Sequence, residues 1–287
     1  MIYKNIIVGL DSSEYSEAAL VEVASWAKEN GGHLSLVHSV YFDSEEFAIS
    51  PSSIDKRVES GMELCSRVRD SFASEFGVDM ECIVRQGEAH DVIVEAAEDK
   101  KADLIAMGTH GRRGLRRMIM GSVTSGVILD SPCDVLVVKK AHIPKKGRYG
   151  SILVPYDGSE LSNKALNRAV ELKKEDPDAM VTLLYVIPRY EEMLGFFKTN
   201  SIMEKLYEEA RKIVLEGLGI AQKSGILAST IVEEGHPSDK VIEIANGLGI
   251  DLIVMGSHGW RGFNKALLGS TAERVITHST VPVLIAR

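Results

Sequence analysis

ADLIAMGTHGRRGLRRMIMGSVTSGVILDS, residues 102–131, carries three local signals in succession. DLIAMG (103–108) is apolar without alternation, as a strand covered on both faces requires. GSVTSGVILDS (121–131) reads as a helix opened by Gly-Ser. The loop between them has glycines at its first and fourth positions, Gly108 and Gly111, then nine residues, then Gly121-Ser122. A strand running into a glycine loop and then a helix is the building block of a parallel α/β sheet.

The same phrase returns as GSHGWRGFNKALLGS (256–270), again after a strand-like run, DLIVMG (251–256). Other segments repeat with it. KNIIVGLDSSEYSEAAL (4–20) matches GSILVPYDGSELSNKAL (150–166), and HLSLVHSV (33–40) matches MVTLLYVI (180–187). Corresponding residues lie 146 to 148 positions apart, so the chain reads as one domain duplicated. The boundaries are 1–142 and 150–287, joined by a linker at 143–149 within AHIPKKGRY.

In the first half, the runs NIIVGL, HLSLVHSV, DMECIVR, DLIAMG and DVLVVK alternate with four amphipathic stretches. With right-handed crossovers this order predicts a doubly wound, open, parallel five-stranded sheet with helices on both faces, in tandem copies. Trp26 falls in the first helix and is expected in the core. Ligands of such sheets bind beyond the carboxyl ends of the strands, where the strand order reverses. Both glycine loops begin at such an end.

The loop chemistry fits an anion. Gly108 and Gly111 lack a Cβ, which permits positive φ and close approach of another group. Gly121-Ser122 opens a helix whose first N–H groups have no partner within the helix, with hydroxyls of Ser122 and Thr124 nearby. Hydrogen bonds to a charged group contribute about 1.5–3 kcal/mol each. The alternative is that the glycines only shape a tight loop and Ser122 only caps a helix. Strand one ends in Asp11 and, in the second half, Asp157. There a carboxylate can accept from sugar hydroxyls or a base amine, or the helix can be capped by Asp11 or Ser12, and by Asp157 or Ser159. His110 and His258 lie inside the loops with no recurring carboxylate or nucleophile, and read as loop residues bonded to backbone. Arg112, Arg113, Arg116 and Arg117 fit either attraction of phosphate or a solvated loop.

These residues resemble the universal stress protein family, in the branch that binds ATP, whose signature is Gly, two residues, Gly, nine residues, Gly and then Ser or Thr. Both halves hold it in full, and the matched order covers nearly the whole chain, so the resemblance is to a tandem member. It implies phosphate contacts from Gly111, Gly121, Ser122, Val123 and Thr124, ribose contact near Gly108 beside Met107, and base or ribose contact from Asp11. Adenine would be read by backbone near Ser39 and Val40. The second-half positions are Gly259, Gly269, Ser270, Thr271 and Ala272, then Met255 and Gly256, Asp157 with Pro155 and Tyr156 before it, and Val186 and Ile187. Ala272 in place of Thr124 removes a donor, which implies a weaker second site. The resemblance further implies ATP or AMP as ligand, magnesium accompanying ATP, and a regulatory protein of the stress response rather than a dedicated enzyme. It also implies pairing of the halves about a pseudo-twofold axis through DVLVVK (134–139) and VPVLIAR (281–287), and a homodimer of tandem chains. The alternative is a slow ATP hydrolase or adenylate-handling enzyme, with a metal between the phosphates and Asp11 or Asp157.

Composition narrows the field. With 287 residues, 45% of them hydrophobic, the chain can bury a sizeable core in two domains. Its net charge of −8 argues against a general nucleic-acid binder, so any anion site is local. No GxxxxGK[ST] loop, GxGxxG fingerprint, HExxH or GxSxG elbow occurs, and no side-chain metal site is expected. No membrane span or signal peptide is evident, and a cytoplasmic location is expected. Cys65, Cys82 and Cys133, in no CxxC spacing, read as separate small buried side chains in a reducing compartment.

Overall fold

The computed structural model describes residues 2–41, 51–111, 120–141, 148–188, 200–259 and 267–287, omitting the side chains of 51–53 and 200–202. The chain divides into two compact units, Met1–Arg148 and Tyr149–Arg287. The first runs β1 (Asn5–Gly9), α1 (Glu14–Asn30), β2 (His33–Val40), α2 (Pro51–Phe76), β3 (Met80–Gln86), α3 (Ala89–Asp99), β4 (Leu104–Gly108), α4 (Ser122–Asp130) and β5 (Asp134–Val138). The second repeats this order as β6 (Ser151–Pro155), α5 (Glu160–Glu175), β7 (Met180–Pro188), α6 (Asn200–Lys223), β8 (Ser229–Gly235), α7 (Pro237–Gly247), β9 (Leu252–Gly256), α8 (Ser270–His278) and β10 (Val283–Ala286).

Within the first unit the strands are ordered β3-β2-β1-β4-β5, and within the second β8-β7-β6-β9-β10. All pairs inside each unit are parallel. The chain builds outward from β1 to β3 and returns to lay β4 on the other side of β1, so the order reverses between β1 and β4. In the second unit the reversal falls between β6 and β9. Two crossovers leave opposite faces there, opening a crevice at the strand ends.

The central strands earn their positions by composition. β4 and β5 are buried at every residue, as are Ile6, Ile7 and Val8 of β1. Each such aliphatic side chain contributes about 1.5–3 kcal/mol on leaving water. α1 buries Ala19, Leu20, Val23, Ala24 and Ala27, the spacing of one helical face. Trp26 is in the core as expected, edge-on to Tyr3 at 5.9 Å, and the Tyr3 hydroxyl donates to Asp134 Oδ2 at 2.7 Å. Among the described residues no helix is long and apolar enough to cross a membrane.

The cysteine expectation is corrected. Cys65 of α2 and Cys82 of β3 are paired as a disulfide, with Cα atoms 5.9 Å apart, and Cys133 takes no part in that bridge. The spacing of 17 residues looked unrelated in sequence, but α2 folds back along the strand that follows it.

At the opposite end of the first sheet from the glycine loop, Glu81 of β3 accepts from Lys100 Nζ and Ser35 Oγ, each at 2.6 Å, and lies 3.3 Å from His33 Nε2. Burial alone would raise its carboxyl. The hydrogen bonds from Lys100, Ser35 and His33, with the charge of Lys100, outweigh that and hold the pKa at about 2 instead of 4.5. A depressed carboxyl adds stability above its unfolded pKa and loses it as pH falls through the folded one. Urea denaturation at pH 6 and pH 3 should therefore show a larger acid loss for the parent than for Glu81→Gln; equal losses would contradict the network.

Candidate functional site

The site is assembled where β1 and β4 end, and again where β6 and β9 end. After β1 the chain turns through Asp11, Ser12 and Ser13 into α1. Asp11 Oδ1 accepts from the Ser13 N–H at 3.0 Å and the Ser13 hydroxyl at 2.6 Å, and Ser13 Oγ then accepts from Ser16 N–H at 3.1 Å as the N-cap. In the second unit Asp157 Oδ1 accepts from Ser159 N–H at 3.0 Å, and Ser159 caps α5 by accepting from Ser162 N–H at 3.2 Å. Of the expected caps, Ser159 is the cap. In the first unit neither Asp11 nor Ser12 is; Ser13 is. The signal was present in both copies as Asp-x-Ser, since an aspartate two residues before a serine folds onto its backbone. The tip of this turn is left-handed: Gly158 has φ 79° and Ser12 has φ 64°.

The first two glycines of each motif are required, for reasons other than positive φ. None of the six has a left-handed φ. A Cβ on Gly108 would stand 2.5 Å from Tyr15 Cβ and 2.7 Å from the Tyr15 carbonyl carbon, and one on Gly256 would stand 2.6 Å from Leu161 Cβ. These glycines let the first turn of α1 or α5 lie directly on the strand end. A Cβ on Gly111 would stand 2.8 Å from Asp11 Oδ2, and one on Gly259 would stand 2.5 Å from Asp157 Oδ2. The second glycine therefore makes room for the aspartate. Gly121 and Gly269 are different again. Their N–H groups close the loop by donating to Thr109 O at 3.0 Å and Ser257 O at 2.9 Å.

Gly121 is the N-cap of α4, with φ −62° and ψ 142°, and gives it no side-chain cap; Gly269 does the same for α8 at φ −64° and ψ 138°. The first helical bonds are Ser125 N–H to Gly121 O and Glu273 N–H to Gly269 O. Thus the N–H groups of Ser122, Val123 and Thr124, and of Ser270, Thr271 and Ala272, precede the first bond of their helices. Ser122 and Ser270 are exposed, whereas Thr124 and Ala272 are buried. Thr124 is corrected as a side-chain donor: its hydroxyl donates to Gly108 O at 3.0 Å. The difference between the copies lies elsewhere, because the first turn of α8 holds Glu273 and that of α4 holds no acid.

A third wall comes from β2. Leu10 N–H donates to Val37 O at 2.8 Å, and then the ladder to β1 stops, because His38 Nδ1 donates to Leu10 O at 2.8 Å. Backbone groups alternate sides along a strand. Val40 O accordingly faces β3 and accepts Gly87 N–H at 3.2 Å, while the Ser39 N–H and C=O face the side that β1 has left. The Ser39 hydroxyl is spent on Gly87 O at 2.6 Å. Tyr156 N–H donates to Leu184 O at 2.9 Å, so the same alternation turns the Val186 backbone toward the side β6 has left; Ile187 is buried.

Other expected residues are placed differently. Met107 and Met255 are buried in β4 and β9. Pro155 ends β6. Tyr156 is buried: its hydroxyl donates to Asn163 Oδ1 at 2.7 Å, and a Cβ on Gly217 of α6 would stand 2.8 Å from its ring. Burial, then the charges of Glu216 and Asp157, push its phenol pKa up. His110 and His258 bond the neighbouring hydroxyl instead of backbone, through Nδ1, to Thr109 Oγ1 at 3.0 Å and Ser257 Oγ at 2.9 Å. In both, Nε2 is buried with no partner among the described residues. Burial, then Arg287, pushes the His258 pKa down. The arginines at 112, 113, 116 and 117, and Trp260, lie outside the described residues.

An open parallel sheet, duplicated, with an aspartate turn, a glycine loop and a helix start without a side-chain cap at each switch point, defines a class of tandem doubly wound α/β domains. The chain belongs to the universal stress protein family, whose model matches residues 2–139 and again 148–287. A universal stress protein of Methanocaldococcus jannaschii is 37% identical over 142 residues, covering 48% of this chain and 82% of its own. One from Mycolicibacterium smegmatis is 24% identical over 295 residues, covering 98% of this chain and 96% of its own, which makes the tandem arrangement common to both. The crystal structure of a universal stress protein from Archaeoglobus fulgidus has the same fold, with a TM-score of 0.73 at 23% identity over 100% of this chain and 98% of that one.

The glycines should separate by stability. Gly108→Ala and Gly256→Ala drive a methyl into a helix and should each cost about 1–3 kcal/mol. Gly111→Ala should cost similarly but recover in part when combined with Asp11→Ala. Gly121→Ala, whose Cβ would meet nothing closer than 3.4 Å, should cost less than about 1 kcal/mol. Urea denaturation checks the order, and a Gly108→Ala chain as stable as the parent would contradict the packing.

Proposed function

We propose that each half of the chain binds one adenine nucleotide, ATP or AMP, and that occupancy makes the protein a regulator in the stress response. The observation that carries this reading is the bare helix N-terminus at the switch point, present twice. Its first N–H groups and the positive end of the helix dipole favour a phosphate. The Ser39 and Val186 backbones offer a donor and an acceptor side by side, which suits the edge of an adenine ring. Asp11 and Asp157, tied by Oδ1, keep a carboxylate at the crevice where ribose hydroxyls can donate to it.

The second site is the weaker one for phosphate, on account of Glu273 rather than Ala272. A carboxylate in the first turn competes with an anion for the same N–H groups, at about 0.3–1 kcal/mol. Glu273→Gln should tighten the second site by up to about fivefold and leave the first unchanged.

Calorimetric stoichiometry tests the proposal. The parent should take up two nucleotides per chain, and Gly121→Val or Gly269→Val one each, with circular dichroism confirming the fold. Gly269 is the tighter position, since its Cβ would stand 3.0 Å from Ser257 O. Two nucleotides bound at unchanged affinity by both folded variants would overturn the reading. Incubation with ATP and magnesium for hours, followed by separation of nucleotides, tests the hydrolase alternative. The homodimer of tandem chains is part of the same proposal, and sedimentation at micromolar concentration checks it.

A further inference from the structure

We propose that Cys65 and Cys82 form a redox-responsive staple that sets how firmly α2 is seated on β2 and β3, in the first half alone. All three cysteines of the chain fall in that half. In the second half the matching strand reads TIVEEG (230–235) against CIVRQG (82–87), with Thr230 in place of Cys82, and the inward face of α6 carries Val214. The duplication therefore supplies its own cysteine-free control.

The surroundings of the pair accommodate both oxidation states. Cys65 is fully buried and Cys82 is partly exposed. Cys65 Sγ lies 3.7 Å from the Leu36 carbonyl, so the reduced thiol has an acceptor in place. One helical turn earlier in α2, Gly61 presses on the end of β2: a Cβ there would stand 3.1 Å from His38 Cδ2 and 3.3 Å from Val40 Cγ2. The staple thus pins the helix that covers the strand end where Ser39 turns its backbone to the crevice.

The chemistry is exchange with a low-molecular-weight disulfide such as oxidised glutathione. The Cys82 thiolate attacks one sulfur of that disulfide, forming a mixed disulfide and releasing one small thiol. The Cys65 thiolate then attacks Cys82 Sγ and releases the second. Two protein thiols are oxidised, one small disulfide is reduced to two thiols, and the two protons go to the released thiolates. Cross-linking residues 17 apart removes freedom from the opened state, so reduction should loosen α2 without unmaking its packing.

The test needs no nucleotide. The full chain is equilibrated in mixtures of reduced and oxidised glutathione, trapped by alkylation and weighed, and hydrogen exchange is followed at both poises. The expected result is a transition within the glutathione range, with amides of α2 and β3 exchanging about a hundredfold faster when reduced, and those of α6 and β8 unchanged. Cys65→Val with Cys82→Thr should fold and lose the redox dependence, while Cys133→Ser should keep it. A chain that stays oxidised, or stays reduced, across all mixtures would overturn the proposal, as would equal exchange in both states.

Discussion

Two absent methyl groups at each switch point hold the rest of the structure in place. Without a Cβ on Gly108, the first turn of α1 lies against the end of β4; without one on Gly111, the Asp11 carboxylate fits beside the loop. Gly256 and Gly259 repeat both contacts against Leu161 and Asp157. The aspartate is thereby fixed from two sides, by the glycine at Oδ2 and the serine turn at Oδ1. That serine caps the helix whose start presses on the strand. The loop then returns, and Gly121 or Gly269 closes it while leaving the next helix uncapped. A side-chain cap present at α1 and, among the described residues, absent at α4 is the asymmetry between the two helix starts.

The two halves solve these constraints with different residues, which separates requirement from habit. The left-handed turn position is Ser12 in one and Gly158 in the other, so the conformation is the requirement and the serine tolerates it. Thr124 stabilises Gly108 O through its hydroxyl and Ala272 does without that bond, so the position is a packing position in both. Between the first turns of α4 and α8, what differs in charge is Glu273.

The fold was legible because its signals are local. Unbroken apolar runs, the repeated offset and the glycine spacing each lie within one stretch of chain, and together they dictate strand order and the switch point. The reasons behind the site residues were not local. Gly111 is explained by Asp11, Gly108 by Tyr15, and Gly217 by Tyr156, and each partner comes from a distant segment that no spacing rule connects. Thr124 resembled a donor in sequence, but its nearest acceptor is the strand end sixteen residues earlier. Cys65 and Cys82 resembled unrelated residues because the relevant distance runs across the helix–strand packing. The Asp-x-Ser turn was written in both copies; only its capping residue in the first was misassigned, by one position.

The central claim is that each switch point presents bare helix N–H groups and an unpaired strand edge to one nucleotide. Amide chemical shifts of the labelled chain, titrated with AMP and then ATP, address it residue by residue. The account predicts that Ser122, Val123 and Ser39 move in the first half, and Ser270, Thr271 and Val186 in the second, with the helix-end amides shifting further for ATP. Binding that moves amides elsewhere and leaves these six unchanged would contradict it.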